Sequence, residues 1–314
     1  MIILKSRREL KIMKKAGLVA ANTTRILREA IAPGVRTRDL DIIAEDYMRK
    51  SGAYPAFKGY RGFPASICTS INDQVVHGIP GDRILKEGDI ISIDLGTILD
   101  GFYSDTAFTV GVGEISEEAK RLLAVTEESL WVGIRQARPG RRLGDISSAI
   151  QGYVEAHGFS VVRDFVGHGI GRQMHEEPQV PNFGVAGSGP VLKPGMTLAI
   201  EPMVNAGGYE VIVAPDNWTV FTSDGSLSAH FEHTVAITVD GPVVLTSIDE
   251  EVPRGIAVFD DYAKDKVAVK RADGSDEDSD FDDVEVRGHG PGVAYEARRG
   301  WRNKARSQTR GEIP

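Results

Sequence analysis

The chain is read as an α+β protein of two pseudo-symmetric halves, each a curved antiparallel sheet covered by helices. Three observations lead there. The sequence lies over itself at a shift of 106, which sets Pro33-Gly34 on Pro139-Gly140, Asp39 on Asp145, Tyr47 on Tyr153 and Gly52 on Gly158. At a shift of 107, LKEGDIISIDLG falls on LKPGMTLAIEPM, so Asp94 meets Glu201, and SDTAFTV resembles FEHTVAITV, so Asp105 meets Glu232. An internal repeat of this kind fixes the architecture before any element is assigned. The third is the stretch from Asp94 to Asp105, strand, tight turn and strand, with a carboxylate in each arm.

Taken in order, Ser6-Arg7-Arg8-Glu9 is a capping box, and Leu10, Met13, Gly17 and Ala20 follow at helical spacing. That helix is expected to run to about Ala32 and stop at Pro33-Gly34. A second is expected from Thr37 to Lys50, ending at Gly52. Short strands and a loop over 58–65 lead to the acidic hairpin. Ile90, Ser92 and Asp94 face one way and Ile91, Ile93 and Leu95 the other; Asp100-Gly101 is a hairpin turn dipeptide. On the return strand Asp105, Ala107 and Thr109 share a face. After Gly113 the pattern restarts, with helices expected over 117–137 and 145–156. The domain reading is a catalytic unit over 1–254, halves dividing near 113, and a separate segment over 255–314.

Composition excludes several classes. A chain of 314 residues with net charge −8 has no basic surplus for DNA. Cys68 is the single cysteine, so neither a disulfide framework nor a cysteine-built zinc ribbon exists, and a reducing compartment suits it. No signal peptide or membrane span is recognisable. A cytoplasmic monomer is the expectation. Gly184–Pro190 is glycine-rich but lacks the Gly-Lys-Ser/Thr ending of a phosphate loop. Over 255–314, acids cluster from Asp273 to Glu285 and bases from Arg298 to Arg310, the pattern of a disordered tail. Its basic end offers a tether to ribosomal RNA as the alternative to a purely solvating role.

The chemistry concentrates in the acids. A carboxylate inside an apolar strand is costly to bury unless paired or metal-bound, and two on adjacent strands repel unless a cation lies between them. The repeat brings Asp94, Asp105, Glu201 and Glu232 to one centre. VGHGIGRQMHEEP adds His168 and His175 among glycines. A histidine met alone is more often a core or surface residue; beside four convergent carboxylates, His168 becomes the nitrogen ligand. This oxygen-rich set without thiolate suits Mn²⁺, Fe²⁺ or Co²⁺, with Zn²⁺ open. Five residues, two of them able to bridge, favour two ions over one. His77, His175 and His233 are left over.

With these residues placed, the sequence resembles the type I methionine aminopeptidases. The resemblance covers about Ile3 to Val252 and rests on NDQVVHGIP (72–80), IDLGTILDGFYSDTAFTVGVG (93–113), FVGHGIGRQMHEEPQVPNFG (165–184), LAIEPMVNAG (198–207) and SAHFEHTVAIT (228–238). It implies the pita-bread fold and removal of N-terminal methionine from nascent chains with a small second residue. It implies that Asp94 chelates one ion, His168 and Glu201 the other, and that Asp105 and Glu232 bridge them. A hydroxide between the ions would attack, Glu201 would carry its proton, His175 would stabilise the oxyanion and His77 would contact the scissile amide. Tyr60, Phe63, Cys68 and Trp218 match the methionine pocket. Phe57 stands where bacterial members often carry cysteine. Asn72 and Ser228 match a monovalent cation site, from which Gln74 departs. The small-residue rule implies that this chain, beginning Met1-Ile2, keeps its own methionine. Xaa-Pro peptidases share this core behind a long N-terminal domain, type II enzymes carry a helical insertion, and non-catalytic relatives lose metal ligands.

Overall fold

The computed structural model describes residues 1–248, 252–253, 256–257 and 259. The charged segment expected over 255–314 therefore lies outside the described residues, apart from Ile256, Ala257 and Phe259.

Helix α1 spans Arg7–Ala30. Its capping box forms as expected: Ser6 N donates to Glu9 Oε2 at 2.9 Å and Glu9 N to Ser6 Oγ at 3.3 Å. Leu10, Met13, Gly17, Ala20 and Leu27 make its buried stripe. Helix α2, Thr37–Lys50, is followed by strands β1 (Tyr54–Pro55), β2 (Ile67–Ile71) and β3 (Gln74–Val76). The acidic hairpin is β4 (Ile90–Leu99) and β5 (Phe102–Gly111). Its two-residue turn has φ of 49° at Asp100 and 77° at Gly101, the left-handed pair that matches strand twist. Helices α3 (Glu117–Gln136) and α4 (Leu143–Ala156) open the second half. Strands β6 (Ser160–Val161), β7 (Gly167–Gly169), β8 (Glu176–Val180), β9 (Thr197–Ile200), β10 (Met203–Asn205) and β11 (Val211–Val213) follow. The last are β12 (Val220–Thr222), β13 (Ser228–His230), β14 (Glu232–Thr238) and β15 (Gly241–Val244).

The repeat is physical. Helices α2 and α4 are each 14 residues long and begin 106 positions apart, at Thr37 and Leu143. The half-sheets are not separate, however. Nine strands among the described residues form one sheet, ordered β1-β4-β5-β14-β9-β7-β8, with β2 also on β4 and β15 also on β14. Pairing of β5 with β14 closes the seam, with Glu232 opposite Ala107 and His233 opposite Thr106. Asp94 lies opposite Ala107 and Asp105 opposite Gly96, so both acids share a face, as the alternation predicts. The core runs without a break through both halves. Leu40, Met48, Ile93, Leu95 and Phe108 join Leu122, Ile134, Ile150, Leu198, Ile200 and Val235 in one buried cluster. Two three-stranded sheets, β13-β10-β6 and β11-β12-β3, complete the fold.

Ile256 and Phe259 are buried, and Phe259 packs with Leu10, Met13, Phe102 and Leu245. Ala257 forms a parallel bridge with Val243.

Candidate metal centre

Four neighbouring strands of the large sheet deliver the acids. Asp94 comes from β4, Asp105 from β5 and Glu232 from the start of β14, while Glu201 follows the last residue of β9. His168 sits on β7 opposite Ala199 of β9. Ligand atoms of Asp105, His168 and Glu232 all lie within 4.8 Å of one another. His168 Nε2 is 3.6 Å from Glu201 Oε1 and 3.9 Å from Asp105 Oδ2. All five residues of the expected set thus line one pocket, with His77, His175, Tyr60, Phe63, Cys68 and Trp218 around it.

The crowding of these buried acids is relieved either by protons or by a cation. Burial pushes Asp94 up to about 7, although its hydrogen bond with Asp105 pulls the other way. Burial, then the charges of Glu232 and Asp94, holds Asp105 well above the carboxylate range. Glu201 and Glu232 are raised for the same reasons, burial first and neighbouring carboxylates next. Asp94 Oδ1, Asp105 Oδ1 and Glu232 Oε1 are buried with no hydrogen-bond partner. Leaving such oxygens unsatisfied is expensive, and a divalent ion satisfies several at once.

His168 is prepared in the same sense. Its Nδ1 lies 2.8 Å from the carbonyl oxygen of Gly169. A carbonyl only accepts, so Nδ1 carries the proton and Nε2 presents a lone pair to the acids. Burial lowers this imidazole to about 4 and keeps it neutral. Oxygen donors, one neutral imidazole and no free ammonium or guanidinium among them fit divalent ions.

One wall is apolar. Cys68 on β2 lies directly opposite Asp94. It packs with Phe63, Phe57, Ile79 and Trp218, and the Phe63 and Trp218 rings meet edge to face at 5.1 Å. Phe57, which departs from the pattern of bacterial members, completes this recess by an edge contact with Phe63. The pocket holds about 190 Å³, small beside the roughly 300–1,000 Å³ of sites for drug-sized ligands. His175 stands at the exposed rim, its ring tilted 42° to that of His168 at 4.2 Å between centroids, and its Nδ1 lies 2.8 Å from the Tyr60 hydroxyl. His77, with φ of 60°, contacts Phe165 and Trp218.

His233, left over in the sequence, is half-buried elsewhere against Trp131 and Thr246. Asn72 and Ser228 adjoin through a 2.8 Å bond from Ser228 N to Asn72 O. The Gln74 side chain folds back to accept from Ile71 N. His230 was not singled out by sequence reasoning, yet its Nε2 is 3.9 Å from Glu201 Oε2 and makes no hydrogen bond. Its position two before Glu232, in SAHFEHT, was the available signal. Met203, Phe165 and Arg61 also line the pocket unforeseen.

Comparison with known proteins identifies the family. The model of metallopeptidase family M24 matches residues 11–239. A methionine aminopeptidase of Clostridium perfringens is 59% identical over 248 residues, 79% of this chain and 100% of its own. Methionine aminopeptidase 1 of Bacillus subtilis is 57% identical over the same lengths. The crystal structure of the Thermotoga maritima methionine aminopeptidase superposes with a TM-score of 0.78 at 48% identity, covering 79% of this chain and all of that one. A prolidase from Pyrococcus furiosus gives 0.64 at 26% identity, covering 79% of this chain and 66% of its own. The chain belongs to metallopeptidase family M24, within its methionine aminopeptidases.

Proposed function

We propose that the protein removes the N-terminal methionine from polypeptides whose second residue is small, using two divalent ions. The observation that carries this reading is the juxtaposition of Cys68 and Asp94 on paired strands. It sets a recess of apolar side chains directly beside a centre of carboxylates.

Asp94, Asp105, His168, Glu201 and Glu232 would hold the ions, with Asp105 and Glu232 reaching the centre from either side of the seam. Bound ions polarise a carbonyl and lower the pKa of water to near neutrality. The protein's own groups do the rest. Phe57, Phe63, Cys68 and Trp218 take the methionine side chain and exclude water from it. The Tyr60 hydroxyl lies 2.8 Å from His175 Nδ1; with Tyr60 as the donor there, a proton stays on Nε2 to donate to the carbonyl oxygen as charge develops there. Glu201 accepts a proton from the attacking water and delivers it to the leaving amine. His77 contacts the leaving side. A pocket with room for little more than one side chain disfavours a bulky second residue.

The test is a peptide panel of Met-Ala-Ser, Met-Leu-Ser and Ala-Pro with metal supplied. Release of methionine from Met-Ala-Ser, at least about a hundredfold faster than from Met-Leu-Ser, supports the reading. Equal rates on the first two would remove the small-residue rule. Cleavage of Ala-Pro alone would move the protein to proline-specific chemistry.

A further inference from the structure

The loop from Gly169 to His175 joins His168 to His175, and one buried ion pair pins it from outside the pocket. Lys5 Nζ bonds Glu176 Oε2, and the two side chains are 3% and 4% exposed. The other oxygen of Glu176 accepts from Arg172 N at 2.8 Å and Gln173 N at 3.2 Å. Glu176 therefore folds the loop into a turn with one oxygen and hands the other to Lys5. The lysine is itself tethered, its N–H donating to Gly195 O at 2.6 Å and its ammonium to Ile3 O at 3.2 Å. It passes across Gly171, where a side chain would collide with Lys5 Cε and Glu176 Oε1. Lys5 precedes the region matched by the family model.

A buried ion pair is a weak device for stability, because the desolvation of two charges offsets most of their attraction. It is a strong device for geometry, since each group must stay where its partner is. The residue next to Glu176 is His175, whose ring meets Tyr60 on one side and His168 on the other.

We infer that Lys5 is a positioning residue for the reaction: through Glu176 it fixes the backbone that presents the His175 ring to the substrate carbonyl. This rests on the role proposed above for His175. Hydrogen-bond donors to a developing oxyanion tolerate little displacement, and a misplacement of about 1 Å costs up to roughly a hundredfold. The N-terminal segment is in this sense part of the active site, although it does not touch the pocket.

The experiment is a double-mutant cycle on Met-Ala-Ser with Lys5→Met, Lys5→Arg, His175→Ala and Lys5→Met/His175→Ala, each assayed for bound metal. Lys5→Met is expected to lower kcat by about ten- to a hundredfold, with KM and bound metal near wild type. Lys5→Arg should recover most of that loss. In the His175→Ala background, Lys5→Met should cost less than about twofold, because the group it positions is gone. Losses that multiply, or a fall in bound metal matching the fall in kcat, would overturn the inference. Should Lys5→Met fail to fold, Glu176→Gln takes its place in the cycle with the same outcomes. A second readout is independent of turnover: in the metal-free protein, the His175 ring NMR signals should shift in Lys5→Met while those of His77 and His230 stay. Unmoved His175 signals would also overturn it. A wild type that releases no methionine would strike the proposed activity, and the NMR comparison would still decide the geometry.

Discussion

Asp105 and Glu232 are diagonal neighbours across the seam that joins the two halves of the large sheet, and their ligand atoms come within 4.8 Å of one another. Their strands are locked there by a reciprocal pair, Asp105 N to Thr234 Oγ1 at 2.9 Å and Thr234 Oγ1 to Asp105 O at 2.8 Å. Each half brings one of these acids, so the centre exists only because the repeat closes on itself. The two carboxylates repel, and Glu232 is the largest charge acting on Asp105.

Asp105→Asn should therefore separate stability from function. Without metal it removes one of four crowded acids and is expected to stabilise by about 1–2 kcal/mol. That corresponds to a gain of roughly 2–8 °C in melting temperature for a chain of this size. Metal-dependent turnover should fall below detection. A metal-free variant less stable than wild type would contradict the repulsion argument.

The pH dependence of the metal-free protein follows from the same groups. Folding raises the pKa values of Asp94, Asp105, Glu201 and Glu232. The folded state then keeps protons that the unfolded chain has lost, so this stability is present at low pH and lost as pH rises through about 7 and beyond. His168 and His77, lowered to about 4, and His230, lowered to about 3, act oppositely, but only below the unfolded value near 6.5. Above that value the acids dominate, joined near the top of the range by the Cys68 thiol, which burial also raises and which acts in the same direction. Between about pH 6.5 and 8.5 the metal-free melting temperature should fall, and added Mn²⁺ should abolish the fall. A melting temperature that climbs over this range in the metal-free protein would refute the assignment.

Gly17 gives a prediction confined to packing. A methyl group there would strike the backbone carbonyl of Leu245, which cannot rotate aside. Gly17→Ala is expected to cost about 1–3 kcal/mol in denaturant unfolding, in spite of the better helix propensity of alanine. A neutral result would mean that α1 is not seated on the chain after β15 as described.

Ile256 and Phe259 test where the folded unit stops. They are 7% and 4% exposed, and burying each such side chain contributes about 1.5–3 kcal/mol. Ending the chain after Pro253 should lower the melting temperature, whereas ending it after Asp261 should not. Equal melting temperatures for the two truncations would show that these side chains contribute nothing.

Much of this was legible in the sequence because it depends on local rules. The helix over 37–50 and its repeat, expected over 145–156 and observed from Leu143, are bounded by glycines at 34, 52, 140 and 158, all in left-handed backbone. Asp100-Gly101 fixes the register of a hairpin whose ends it joins. The four acids came from matching one half to the other. What escaped depends on distant pairing. Nothing local says that β5 hydrogen-bonds to a strand more than 120 residues later and fuses two half-sheets into one. His230 escaped for a related reason: Phe231 breaks the chain between β13 and β14, so His230 and Glu232 belong to different sheets and reach the same pocket. The contact of Lys5 with Glu176 spans 171 positions.

The most direct measurement is methionine release from Met-Ala-Ser after chelation, with Mn²⁺, Fe²⁺, Co²⁺ or Zn²⁺ restored singly. Activity lost on chelation, recovered with a divalent ion and absent from Asp105→Ala under every metal is the predicted result. Full activity in the chelated protein, or undiminished turnover by Asp105→Ala, would contradict the account at its centre.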